Sequence, residues 1–134
     1  MRAVVDNELR LAVLIRRHEI RDGLAFYTDP SDFIQVGTWG YSKGTRLPNH
    51  IHNKLVRSVE RTQELIYVIH GAVRAFVFSE DGRLVEEVVL SQGDMLILLN
   101  GGHGYEILDD GTYVLEVKNG PYLGPDKDRR RLQE

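Results

Sequence analysis

Glu64-Leu65-Ile66-Tyr67-Val68-Ile69-His70-Gly71, followed by Val73 to Phe78, is the stretch that decides the fold. Its first seven residues are rich in β-branched and aromatic side chains and end at a glycine. Val73 to Phe78 resumes after two residues and reads as a hairpin partner. Asp81-Gly82 then gives a type I′ hairpin signal, and Leu84 to Leu90 returns. Beyond the Gln92-Gly93-Asp94 turn, Met95 to Leu99 is wholly apolar, as expected of a strand buried on both faces. Tyr105 to Leu108, Asp109-Asp110-Gly111 and Thr112 to Val117 read as a final hairpin.

Upstream the same punctuation recurs. Leu9, Leu11, Val13 and Ile15 alternate with more polar neighbours, a strand period that a helix over the same residues also permits. Turns at Asp22-Gly23, Asp29-Pro30-Ser31 and Lys43-Gly44 bound runs at Leu24 to Tyr27 and Phe33 to Trp39. Thr45 to His52 is a further strand, with Pro48 suggesting an edge or a bulge. Many short strands and no sustained helical period predict an all-β fold, a sandwich or a closed barrel.

The chain has 134 residues, 42% hydrophobic and 28% charged, the size and balance of one globular domain. Without repeats or a linker it reads as a single domain over 1–134, with a short polar tail from about residue 124. A net charge of −3 gives no bulk attraction to nucleic acid or to an anionic membrane. Arg129-Arg130-Arg131 reads as a solvated run in the tail. With no cysteine, disulfides, thiolate ligands and Cys nucleophiles are absent together, which fits a cytoplasmic location. The apolar stretch Leu11 to Ile15 is too short for a signal core or a membrane span.

Among the five histidines, His50-Ile51-His52 stands apart. Residues i and i+2 of a strand share a face, so the two imidazoles converge. Glu64 opens the strongest strand, and His103 follows the buried strand within a glycine-rich turn. Imidazole and carboxylate are the ligands expected for Zn, Fe, Ni or Mn where thiolates are lacking. His70 is expected to turn to solvent at its strand end, and His18 lies in a polar stretch.

Gly44-Thr-Arg-Leu-Pro-Asn-His50-Ile-His52, with Glu64-Leu-Ile-Tyr-Val-Ile-His-Gly71, resembles the first motif of the cupin superfamily. Gly93-Asp-Met-Leu-Ile-Leu-Leu-Asn-Gly-Gly-His103 resembles the second. The resemblance covers Gly44 to Glu106. It implies a single cupin domain, a double-stranded β-helix or jelly-roll barrel. It places four ligands to one divalent metal ion on His50, His52, Glu64 and His103. It departs from the family pattern at Asn53–Gln63, where eleven residues separate His52 from Glu64, and at Leu99, where the family has proline.

Arg57 and Arg61 of that insertion are candidates for gripping a carboxylate or phosphate of a substrate. Tyr105 shares the parity of His103, and Glu116 shares a face with Lys118; these are the candidate acid–base groups. Trp39 is expected in the core. The tail from Glu116 is similar to the ends of small stand-alone cupins found with sugar and polysaccharide biosynthesis proteins. The resemblance thus implies a metal-dependent protein acting on a small polar molecule such as a sugar derivative. The chemistry would be of the isomerase, epimerase or oxygenase type, and homodimerisation is implied with it. The alternative is a non-catalytic barrel that binds a small ligand through its metal.

Overall fold

The computed structural model describes residues 1–133 and is predominantly β, as the turn spacing predicts. Ten strands occur: β1 (Arg2–Asp6), β2 (Leu9–Ile15), β3 (Gly23–Phe26), β4 (Gly37–Gly40), β5 (Glu64–His70), β6 (Ala72–Phe78), β7 (Leu84–Ser91), β8 (Met95–Leu98), β9 (Gly102–Ile107) and β10 (Tyr113–Lys118). A 3-10 turn spans Arg17–Glu19, and one helical turn, α1, spans Pro125–Asp128. No helix among the described residues is long and apolar enough to cross a membrane.

The strands form three antiparallel sheets: β1-β2-β8-β5-β10, β7-β6-β9 and β3-β4. None closes on itself, so the closed-barrel expectation is replaced by layers. Ile66, Val68, Leu96 and Leu98 of the five-stranded sheet pack on Val73, Ala75, Val77, Val88 and Leu90 of the three-stranded sheet. The other face of the large sheet, with Val13, Ile15, Met95 and Ile97, is covered by Ile34 and Val36. This double cover is why β2 and β8 read as apolar runs, whereas β6 alternates buried and half-buried along its whole length.

Two expected hairpins do not form. β5 and β6 lie in different sheets, as do β9 and β10. A tight hairpin needs at least two loop residues, and only Gly71 separates His70 from Ala72. With φ at +82°, Gly71 instead swings the chain from one layer to the other, and any Cβ there would run into Thr112. The β6–β7 hairpin does form, but not through a type I′ turn. Only Gly82 has positive φ, and Gly82 N–H donates to Ser79 O at 3.0 Å.

Thr45 to His52 is not a strand: residues 41–62 are exposed throughout, and none is in a strand. The single proline is not the whole reason. Arg46, Pro48 and Asn49 give this stretch no apolar alternation, and no neighbouring strand offers it a partner. Trp39, expected in the core, is 65% exposed beside Leu24, Phe26 and Tyr41. The small β3–β4 sheet on which it lies has nothing packed over that face. The tail touches the body: Thr62 Oγ1 donates to Asp128, and Arg130 donates to Glu80 O at 3.1 Å.

Candidate metal centre

β5 delivers Glu64 to the interior between the two larger sheets. Glu64, Ile66 and Val68 share one face of β5, and all three are buried. Register sets its neighbours. Lys118 of β10 lies opposite Glu64 on β5, and Glu116 lies opposite Ile66. On the facing sheet, His103 and Tyr105 of β9 pair with Val77 and Ala75, so both rings share the face that looks at Glu64.

The strand start is locked by the preceding residue. Buried Gln63 accepts the Phe33 and Ile34 N–H groups through Oε1 at 2.8 and 3.0 Å, and its amide donates to Leu99 O at 3.3 Å. Its own N–H donates to Asn119 Oδ1 at 2.6 Å. Glu64 therefore projects from a backbone held on both sides. Nothing in the sequence pattern singled out Gln63; a polar residue one position ahead of a strand carries no periodic signal.

Glu64 is 2% exposed, yet both its oxygens are engaged. Tyr105 donates to Oε1 at 2.7 Å. His103 Nε2 is 3.5 Å and Lys118 Nζ 3.3 Å from Oε2, and Lys118 also reaches Glu116 Oε1 at 3.2 Å. Burial pushes the Glu64 carboxyl pKa up. Hydrogen bonds from His103 and Tyr105, with the charges of His103 and Lys118, outweigh it and bring the value to about 2. Burial first, then the Glu64 charge, pushes the Tyr105 phenol up, so it stays a donor. Burial lowers the Lys118 ammonium pKa, and Glu64 and Glu116 more than restore it. The expected Glu116–Lys118 pair is thus present, with the addition of Glu64, which no sequence spacing announced.

Tyr105→Phe removes the donor to Oε1 and nothing else. We expect it to raise the Glu64 carboxyl pKa and to destabilise the chain by about 1–2 kcal/mol. Carboxyl-carbon NMR titration of the two proteins checks this; coincident curves would mean that the phenol does not hold Glu64 in solution.

A cavity of about 190 Å³ adjoins the cluster, lined by Ile66, Val73, Tyr105, Ile107, Val114 and Glu116. Its lining is mostly apolar, with the Tyr105 phenol and the Glu116 carboxylate as its polar side chains.

The other two expected ligands lie elsewhere. His50 and His52 sit together on the exposed segment, their ring centroids 5.0 Å apart and edge to face. His50 Nδ1 is 3.1 Å from Pro48 O. Among the described residues no three His, Asp or Glu side chains converge as an ion-holding group, so the four expected ligands form two pairs. Arg61 is engaged by Glu80 Oε1 at 2.9 Å and Asn100 Oδ1 at 2.6 Å, while Arg57 is exposed. His70 is exposed at its strand end, 3.3 Å from Gly111 O. No family model, curated protein or solved structure matches the chain.

Proposed function

We propose that this chain is a cupin-type metalloprotein acting on a small polar molecule, with His50, His52, Glu64 and His103 holding one divalent ion. The observation that carries the reading is a carboxylate 2% exposed whose two oxygens face Tyr105, His103 and Lys118. A buried carboxylate on which imidazole, phenol and ammonium groups converge is the kind of perturbed cluster found at functional sites.

The donor set fits a cation. Two ligand atoms on one tetrahedral ion, each about 2.1 Å from it, lie about 3.4 Å apart. Glu64 Oε2 and His103 Nε2 are 3.5 Å apart. His50 and His52 supply two further imidazoles of the kind that complete such a shell. A bound ion of this class would polarise a substrate oxygen as a Lewis acid.

The chain's own residues suit the rest of the task. Tyr105 holds Glu64 by hydrogen bond and keeps its proton. Lys118 bridges Glu64 and Glu116 and stays an ammonium, a fixed positive charge and hydrogen-bond donor beside the site. The 190 Å³ cavity admits a small apolar group and excludes anything of ordinary drug size. The polar cluster above the cavity would take the polar part of a small molecule, and the reaction class, isomerase, epimerase or oxygenase on a sugar derivative among others, is proposed from the motif resemblance.

The test is metal content by plasma mass spectrometry on untagged, reconstituted protein. Wild type is expected to hold about one ion per chain, and His50→Ala, Glu64→Ala and His103→Ala each to lose at least ten-fold in affinity. A wild type that binds no metal sinks the reading.

A further inference from the structure

We infer that Lys118 competes with the metal ion for Glu64: its ammonium shares the carboxylate with Glu116 and passes wholly to Glu116 when an ion binds. The inference rests on the metal reading above and names the residue that sets how tightly the site holds its ion.

The two oxygens of Glu64 keep different company. Oε1 accepts the Tyr105 hydroxyl at 2.7 Å. Oε2 lies 3.5 Å from His103 Nε2 and 3.3 Å from Lys118 Nζ. Oε2 is therefore the oxygen open to an ion, since the phenol holds the other, and it is also the oxygen that the ammonium neutralises. An ion about 2.1 Å from Oε2 would stand within about 5.4 Å of Nζ where the ammonium lies. At that range two cations repel across a site with little water, because Glu64 is buried. The doubly charged ion is drawn to the carboxylate more strongly than the singly charged one, so the ammonium is the one to give way.

β10 provides the place to which it goes. Glu116 and Lys118 are two residues apart on that strand and share a face. Lys118 Nζ is already 3.2 Å from Glu116 Oε1. The Glu116 side chain is 51% exposed and that of Lys118 34%. The ammonium thus stands between a buried acid and a solvated one, on a flexible four-carbon stem. It can leave the first without losing a charge partner or its water. Among the described residues Lys118 is the only Lys or Arg within ion-pair distance of Glu64, so removing its charge removes the competitor.

Two replacements of Lys118 test this. Lys118→Met keeps the length of the stem and removes the charge, and Lys118→Gln is a second, polar replacement. Zinc dissociation constants of wild type and both variants are measured by competition with a chromophoric chelator, and stability by urea unfolding in EDTA. Both variants are expected to bind zinc about ten-fold more tightly than wild type, while the metal-free proteins lose stability because buried Glu64 has lost a partner. A role confined to holding the fold together would move the stability and not tighten zinc binding. Glu116→Gln, which removes the second carboxylate, is expected to weaken zinc binding about three-fold and to lose that effect beside Lys118→Met. A Glu116→Gln loss that persists undiminished beside Lys118→Met overturns the transfer to Glu116. Zinc bound equally or more weakly by both Lys118 variants overturns the competition and leaves the metal reading standing. No zinc, nickel, iron or manganese bound by wild type or by either variant overturns both.

Discussion

Gly101→Ala is expected to lower stability by roughly 2–5 kcal/mol, the sum of a left-handed backbone penalty and an overpacking penalty. Gly101 has φ of +72°, where an L side chain is strained. A Cβ there would also fall inside contact distance of the Phe78 carbonyl oxygen, and would sit 3.1 Å from Leu11 Cδ2. A carbonyl in a strand cannot step aside as a flexible side chain can. The turn must therefore open, and with it the Phe78–Gly102 pairing that begins β9. His103 follows one residue later, so the Glu64–His103 distance changes with the fold. Gly104→Ala is the control: its Cβ would meet only Phe76 Cδ2 at 4.0 Å. Urea unfolding of both variants gives the comparison, and a Gly101→Ala loss below about 1 kcal/mol would refute the argument.

Asp94→Ala is expected to cost roughly 3 kcal/mol, because it leaves the Ser91 and Arg17 amides without their acceptor and Arg16 with only Val89 O. Asp94 is 6% exposed. Its oxygens accept from Ser91 N–H at 3.0 Å, Arg17 N–H at 2.9 Å and Arg16 Nη1 at 2.8 Å. It thereby ties the β7–β8 turn to the end of β2. Burial raises the Asp94 carboxyl pKa, and the Ser91 and Arg17 amides with Arg16 lower it by more, so the net shift is downward from 3.8. A lowered folded-state pKa gives stability that is complete above the unfolded value and is lost as pH falls through the folded one. Wild type is therefore expected to lose stability progressively below about pH 4. Asp94→Asn is expected to flatten that part of the curve. Urea midpoints from pH 6 to pH 2.5 read both effects, and identical acid slopes in the two proteins would count against the role given to Asp94.

What was legible in the sequence follows from which forces are local. β5, β6, β7 and β8 were readable because alternation and complete burial write themselves into adjacent residues. β1 was not read: its hairpin to β2 turns through Asn7 and Glu8, with φ of 46° and 69°, and no glycine marks it. The layer changes at Gly71 and between β9 and β10 were read as hairpins, since a pattern of short strands does not say which sheet each joins. At the site, Glu64 was found by strand position and spacing, and Tyr105 by parity with His103. Lys118 was placed beside Glu116 but not beside Glu64, which stands 54 positions earlier and meets it only through β-sheet register. Thr45 to His52 reads as a strand from its place after the Lys43-Gly44 turn, whereas its own residues lack the alternation that would hold it there.

The long exposed stretch between β4 and β5 has a consequence for what holds the molecule together. β1 and β2, from before it, and β8, β5 and β10, from after it, share one sheet, with β2 bonded directly to β8. The peptide bonds of the stretch therefore contribute nothing to that seam. A protease that nicks the chain there produces two pieces that stay associated through the interleaved sheet and the core beneath it. The chain is in this sense already a two-part protein, with its covalent joint in a long exposed stretch where severing it removes no strand.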